Sequence, residues 1–165
     1  MALLDYTSYD EVRAVLGVSE KEITDATLAL DVYQLNLSVE LAALSEALEG
    51  DYATVSAVAA NTRTALQTKF YGAVRLFSTY AVAFQLLAAL PNFSPKDITD
   101  GKAAVGRYAD SPYKVVIDRT SAMYDTFRVF LASAYKEMTT GSAIQTTVRS
   151  PLYKVGLAIN PVTGA

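Results

Sequence analysis

The chain has 165 residues, 14 basic against 17 acidic for a net charge of −3, and neither histidine nor cysteine. A chain of this length makes one domain that buries about 70% of the surface its unfolded form exposes. Without imidazole or thiol there is no Ser/His/Asp triad, cysteine nucleophile, Cys/His zinc site or disulfide, and a negative net charge disfavours non-specific binding to duplex DNA.

The opening "MALLDYTSYDE" carries acidic residues and no basic n-region, so no secretory signal is expected and the protein is expected to be made and used in a cytosol. Ser8 with Glu11 fits a capping box ahead of a short helix, in which Val12, Val15 and Leu16 face inward and Gly17 is the stop. Ser19 with Glu22 repeats the signature, and Asp25 is the expected N-cap of a helix running to about Leu48. That run carries two apolar rows at helical spacing. One is Leu30, Tyr33, Leu37, Leu41, Leu44 and Leu48, and the other is Leu28, Val32, Leu35 and Val39; Gly50 would end it.

From Asp51 the helical pattern resumes to Leu90, with a bend or break expected at Asn61, Thr62 and Thr64. Its second half is apolar nearly all round, with rows through Phe70, Val74, Phe77, Ala81, Phe84 and Ala88 and through Ala73, Leu76, Tyr80, Ala83, Leu87 and Leu90. Arg75 leaves an uncharged run before Pro91 shorter than the roughly 20 residues of a membrane span, so the helix is expected to be buried in its own fold or against copies of itself. Ser111 as N-cap and Pro112 at the first helical position open a last helix to about Met138. Val116, Met123, Phe127, Phe130, Leu131 and Ala134 would face inward, and Asp118, Ser121, Asp125, Arg128 and Lys136 outward.

The stretch "ITDGKAAVGRYADSP" is not a nucleotide loop. A P-loop needs a lysine after its second glycine and a following hydroxyl for magnesium; here Lys102 follows the first glycine and Ala103 replaces the hydroxyl. An EF-hand placed on Gly101 would have Lys96, Ile98 and Arg107 where oxygen ligands are required. Asp100-Gly101 is instead a good tight-turn pair. The whole connection from Pro91 to Ser111 is long for a helix link, and Ile98, Val105 and Tyr108 would anchor it on the helices with Lys96, Lys102 and Arg107 outward.

The last stretch, "TTGSAIQTTVRSPLYKVGLAINPVTGA", has Arg149 and Lys154 and no acidic residue, a charge of +2 that leaves −5 of the overall −3 on residues 1 to 138. Apolar residues alternate on both sides of Pro151, which suits extended segments: an arm ordering on a partner, for example by strand addition, or a wrap on its own domain. The reading is an all-α fold: a small helical bundle of about four to five helices over residues 1 to 138, with a long loop before the last helix and an extended C-terminal arm over residues 139 to 165. Carboxylates sit mostly at helix starts and on solvent faces, so no enzyme, cofactor or metal is expected.

Three stretches, "YDEVRAVLGVSEKEITDATLALDVY", "KFYGAVRLFSTYAVAFQLLAALPNFSPKDITDGKAAVGRY" and "NPVTGA", together resemble the head-tail connector (adaptor) proteins of tailed bacteriophages. The similarity spans most of residues 9 to 138 and is most specific in V-R-x-x-L-G-V, followed after the aromatic helix by P-K-x-I-T-D-G-K. The resemblance implies a structural virion protein, assembled in the host cytoplasm as a ring of commonly twelve copies between the portal protein and a tail or stopper protein. DNA would pass as non-specific cargo through the channel, with no membrane partner. By the same resemblance Arg149, Leu152, Tyr153 and Lys154 would contact the portal, and Lys96, Lys102 and Arg107 would serve a subunit or tail interface. The alternative is a non-viral helical protein-binding or scaffold module forming a small homo-oligomer.

Overall fold

A computed structural model describes residues 2–87, 97–100, 103–106 and 114–141. The protein is all-α, a small helical bundle. In chain order the described helices are α1 (Leu3–Tyr6), α2 (Tyr9–Leu16), α3 (Asp25–Leu28), α4 (Asp31–Leu44), α5 (Leu48–Ala57), α6 (Ala65–Leu86) and α7 (Lys114–Thr140). Helices α1 and α3 are single turns of four residues each, so the bundle rests on the other five. Between α6 and α7, β1 (Asp97–Asp100) pairs antiparallel with β2 (Ala103–Gly106), Ile98 opposite Val105 and Asp100 opposite Ala103. The connection expected as a loop therefore contains a small ladder, for which β-branched Ile98 and Val105 are suited, and Asp100, expected in a tight-turn pair with Gly101, is instead the last residue of β1, while Gly101 lies outside the described residues.

Helix α2 starts as its sequence dictates. Ser8 Oγ accepts from the Glu11 amide at 3.2 Å while Glu11 Oε2 accepts from the Ser8 amide at 3.0 Å, and Gly17 closes the helix at φ +69°, where a side chain would be strained. Ser19 and Glu22 make the same reciprocal contact but enclose only a turn: the Ser19 amide donates to Glu22 Oε2 at 2.7 Å and no helix follows until α3. The single helix expected from Asp25 to Leu48 is instead two. Thr24, not Asp25, caps α3 through the Thr27 amide, and Leu30 is extended before α4 begins.

The stop at Gly50 is also overturned. Helix α4 ends at Ser45, whose backbone is extended (φ −167°, ψ 133°), and Gly50 lies inside α5. Tertiary demand explains the shift. Starting α5 at Leu48 buries Leu48, Tyr52 and Val55 along one row, and Ser45 Oγ both accepts from the Ala47 amide at 3.3 Å and donates to Tyr135 on α7 at 3.3 Å.

The expected break before residue 65 is present: Thr64 and Gln67 form a capping box that opens α6. This 22-residue helix is the axis of the molecule, packed by α7 along its length and by α1, α2, α4 and α5 around it. Phe70, Ala73, Val74, Phe77, Ala81, Val82 and Ala83 are fully buried. Phe84 and Leu76, expected inside, are 40% and 43% exposed. Thr79, although polar, is buried because its hydroxyl finds Thr7 Oγ1 at 2.6 Å and donates to the Arg75 carbonyl at 2.9 Å. Among the described residues no helix is long and apolar enough to cross a membrane.

Helix α7 runs past the expected end at Met138 to Thr140, and Gly141 follows at φ +66°. Leu131 and Ala134 are buried, with Val116, Phe127 and Phe130 packed against the core. Ser111 and Pro112, the expected start of this helix, lie outside the described residues.

Candidate interaction surface

The described residues contain no group of three or more acidic or other ligating side chains placed to hold a metal. What they offer is surface. Of the two apolar rows in residues 28 to 48, the first is core from Leu37 onward: Leu37, Leu41 and Leu48 are buried, whereas its first member, Leu30, is exposed. The other is outside. Leu28 is buried, but Val32, Leu35 and Val39 on α4 are 49%, 63% and 69% exposed, and Leu30 just before them is exposed too. Ala42 and Ala43 continue that face, and its charges are confined to Asp31 at the start of the helix and Glu46 just beyond its end.

Beside this face lies an open groove of about 560 Å³ between α4, the end of α6 and the start of α7, with Val39, Phe84, Leu87 and Ile117 as its apolar walls. Asn36 crosses the groove, its Nδ2 donating to Gln85 Oε1 at 3.3 Å, while Gln85 Nε2 is buried and without a partner among the described residues. Tyr124 holds the groove in shape: it stacks on Phe84 with ring centroids 4.9 Å apart and donates its hydroxyl to Glu40 Oε2 at 2.9 Å. Burial, then the Glu40 contact, push the Tyr124 hydroxyl up to about 12.

Two further tyrosines set the angle of α5. Tyr6 donates to Glu49 Oε1 at 2.9 Å, an oxygen that also accepts from Ser38 at 2.9 Å, and Tyr135 donates to Asp51 Oδ2 at 2.8 Å. Tyr6, Tyr52 and Tyr71 stack in a column, and Arg63 closes it with its guanidinium 4.0 Å from the Tyr71 centroid. Burial raises the Tyr6 and Tyr52 hydroxyls well above the ordinary phenol range.

The motif V-R-x-x-L-G-V is packing and capping chemistry. Val12 and Leu16 are core, and Gly17 supplies the left-handed stop. Arg13 is buried, its Nε donating to the Ile23 carbonyl at 2.8 Å and its two terminal nitrogens engaging Asp10 and Asp25, which pins α2 to α3. On the far side of α2, Arg75 pairs with Glu11 at 2.9 Å. Burial works against ionisation of Glu11, but the Ser8 amide and the Arg75 charge outweigh it and hold the carboxyl below the usual range.

The residues expected at the portal, Arg149, Leu152, Tyr153 and Lys154, and those expected at a subunit or tail interface, Lys96, Lys102 and Arg107, all lie outside the described residues. The α4 face is composed of residues already conspicuous as an apolar row; which of the two rows would be core could not be read from their spacing. Comparison with family models, curated proteins and solved structures finds no match to this chain.

Proposed function

We propose that this chain is a structural subunit of the neck of a tailed bacteriophage, a head-tail connector that assembles as a ring between portal and tail and completes the channel through which DNA leaves. The observation that carries this reading is the α4 face: a helix exposing Val32, Leu35 and Val39 with no charge among them is built to be covered. The order and spacing of the motifs that resemble connectors supply the kind of assembly. A net-negative body suits a channel that must let phosphates slide, since a basic lining would hold them by counterion release. Arg149, Leu152, Tyr153 and Lys154 would dock on the portal, and Lys96, Lys102 and Arg107 would serve the ring or the tail.

The test is a micrograph of particles carrying a label on this protein. Label at the neck is the expected result; label on the shell or fibres rejects the reading. A truncation after Thr140 is expected to lose addition to portal rings, and normal addition would reject the arm's role.

The groove beside α4 favours a second reading, a helical binding module, because its apolar walls and the free Gln85 donor suit a partner's side chains. Size-exclusion with light scattering separates the two. A large ring, or a monomer that adds to portal in fixed stoichiometry, supports the connector; a small homo-oligomer indifferent to portal supports the module.

A further inference from the structure

We propose that the cleft between α2, α6 and α7 binds a carboxylate carried on a short apolar body, with Arg119 and Thr120 as the groups that hold its head. No residue of α4 lines this cleft, and the inference does not rest on the connector reading.

Thr120 is the observation that points to a ligand. It is 1% exposed on α7, yet its hydroxyl has no hydrogen-bond partner among the described residues. Other hydroxyls of this helix are spent locally: Thr126 donates to the Ala122 carbonyl and Thr140 to the Lys136 carbonyl, each at 2.8 Å. Thr79, buried on α6, is satisfied by Thr7 and the Arg75 carbonyl. A valine would fill the place of Thr120 without an unmet polar group, so its hydroxyl is a loss that the fold alone does not offset. Unlike the hydroxyl of Ser78, it is not sealed off. Thr120 lines a pocket of about 220 Å³ with Ala14 and Val15 of α2, Tyr80 of α6 and Arg119. Arg119 is exposed and forms no ion pair among the described residues, so its guanidinium is also unspent.

A second pocket of about 260 Å³ adjoins the first, sharing Ala14, Val15 and Tyr80, and adds Leu76, 43% exposed, as an apolar wall. The Tyr80 ring common to both is fixed by Phe127, with centroids 5.0 Å apart. Arg75 also lines this second pocket, but its charge is already matched by Glu11 at 2.9 Å.

These features set the chemistry of the ligand. Its head meets one unmatched guanidinium, whose paired N–H groups fit the two oxygens of a carboxylate, and one hydroxyl free to donate to it. A single unmatched positive charge near Glu11 suits a monoanion and disfavours a phosphate dianion. The body behind the head is met by Ala14, Val15, Leu76 and the Tyr80 ring, none of which carries a charge. Such a carboxylate is either a free short-chain acid or an acidic side chain beside an apolar residue on another protein.

Hexanoate is the probe, with hexanol and hexylammonium as controls for its apolar body, read by saturation-transfer NMR on the full chain. Hexanoate is expected to bind with a dissociation constant of about a millimolar, and the controls about tenfold more weakly or not at all. Thr120→Val and Arg119→Gln are each expected to weaken hexanoate about tenfold, with the thermal midpoint of Thr120→Val not lowered. Hexanoate binding no tighter than hexanol overturns the inference. So does a loss in Arg119→Gln with Thr120→Val unaffected, which would show a surface charge and nothing more. A lowered midpoint in Thr120→Val would show its hydroxyl to be structural and overturn it too. The amide of N-acetyl-leucylglutamate separates the two sources. Binding as tight as hexanoate, lost in the same variants, assigns the cleft to an acidic side chain of a partner protein; binding of hexanoate without the peptide assigns it to a free acid.

Discussion

Lys69 and Glu137 show how much one side chain can commit the rest. Glu137 is 1% exposed on α7, and its carboxylate is met by the Lys69 ammonium at 2.7 Å and by the Ser133 hydroxyl at 3.3 Å. Lys69→Met should cost about 3 kcal/mol because it strands a buried charge, and adding Glu137→Gln should restore a large part of that. Chemical denaturation of the two variants checks the recovery; equal losses would mean the pair is solvated. Ser78 is the opposite case. Its hydroxyl is buried without a partner among the described residues, so Ser78→Ala removes a desolvation penalty and should stabilise by about 1 kcal/mol, read as a raised thermal midpoint.

At the scale of the element, two glycines make opposite forecasts. Gly50 sits inside α5, where an added Cβ would meet nothing within 4 Å, so Gly50→Ala should stabilise by about 0.5 to 1 kcal/mol through helix propensity. Gly17 terminates α2 at φ +69°, and Gly17→Ala should destabilise by about 1 kcal/mol despite equally open space, because the strain is in the backbone. Thermal unfolding of both variants tests the assignment of the helix ends, since exchanging the stop to Gly50 would reverse the signs. Helix α4 carries a different lesson. One face is held by Leu37 and Leu41 in the core and by Glu40 through Tyr124, while the other is free, so Leu35→Asp should cost the monomer almost nothing.

The whole molecule is tied together by phenol hydroxyls whose acidity is suppressed, which sets its alkaline limit. For Tyr6, Tyr52 and Tyr124 the folded state favours the neutral form, so below the ordinary phenol value of about 10 their contribution is fully present. As pH rises above that value the unfolded chain loses protons first, and stability is lost progressively toward the folded value of about 12 at Tyr124. Denaturation midpoints should therefore hold between pH 8 and about 9.5 and fall by pH 11. In Tyr124→Phe the alkaline fall should be smaller. At the acid end Glu11, held below the usual carboxylate range, adds stability that disappears as pH drops through its folded value.

The sequence by itself determined what depends on neighbours a few residues apart. The cap at Ser8, the stop at Gly17, the break before α6 and the burial of Phe70, Val74 and Phe77 are all matters of local hydrogen bonding and period. Only the tertiary structure decided where α4 ends and which of its apolar rows is core. Both rows have the spacing of a buried face, and the choice between them is made by α6 and α7, which lie far along the chain. The end at Ser45 is fixed by Tyr135, ninety residues away, and no local rule favours it over Gly50. The same holds for Arg13, a charged side chain that is buried because the Ile23 carbonyl and the Asp25 carboxylate fold back to meet it. Long-range contacts assign partners, and partners decide which greasy surface is spent inside and which is left to meet another chain.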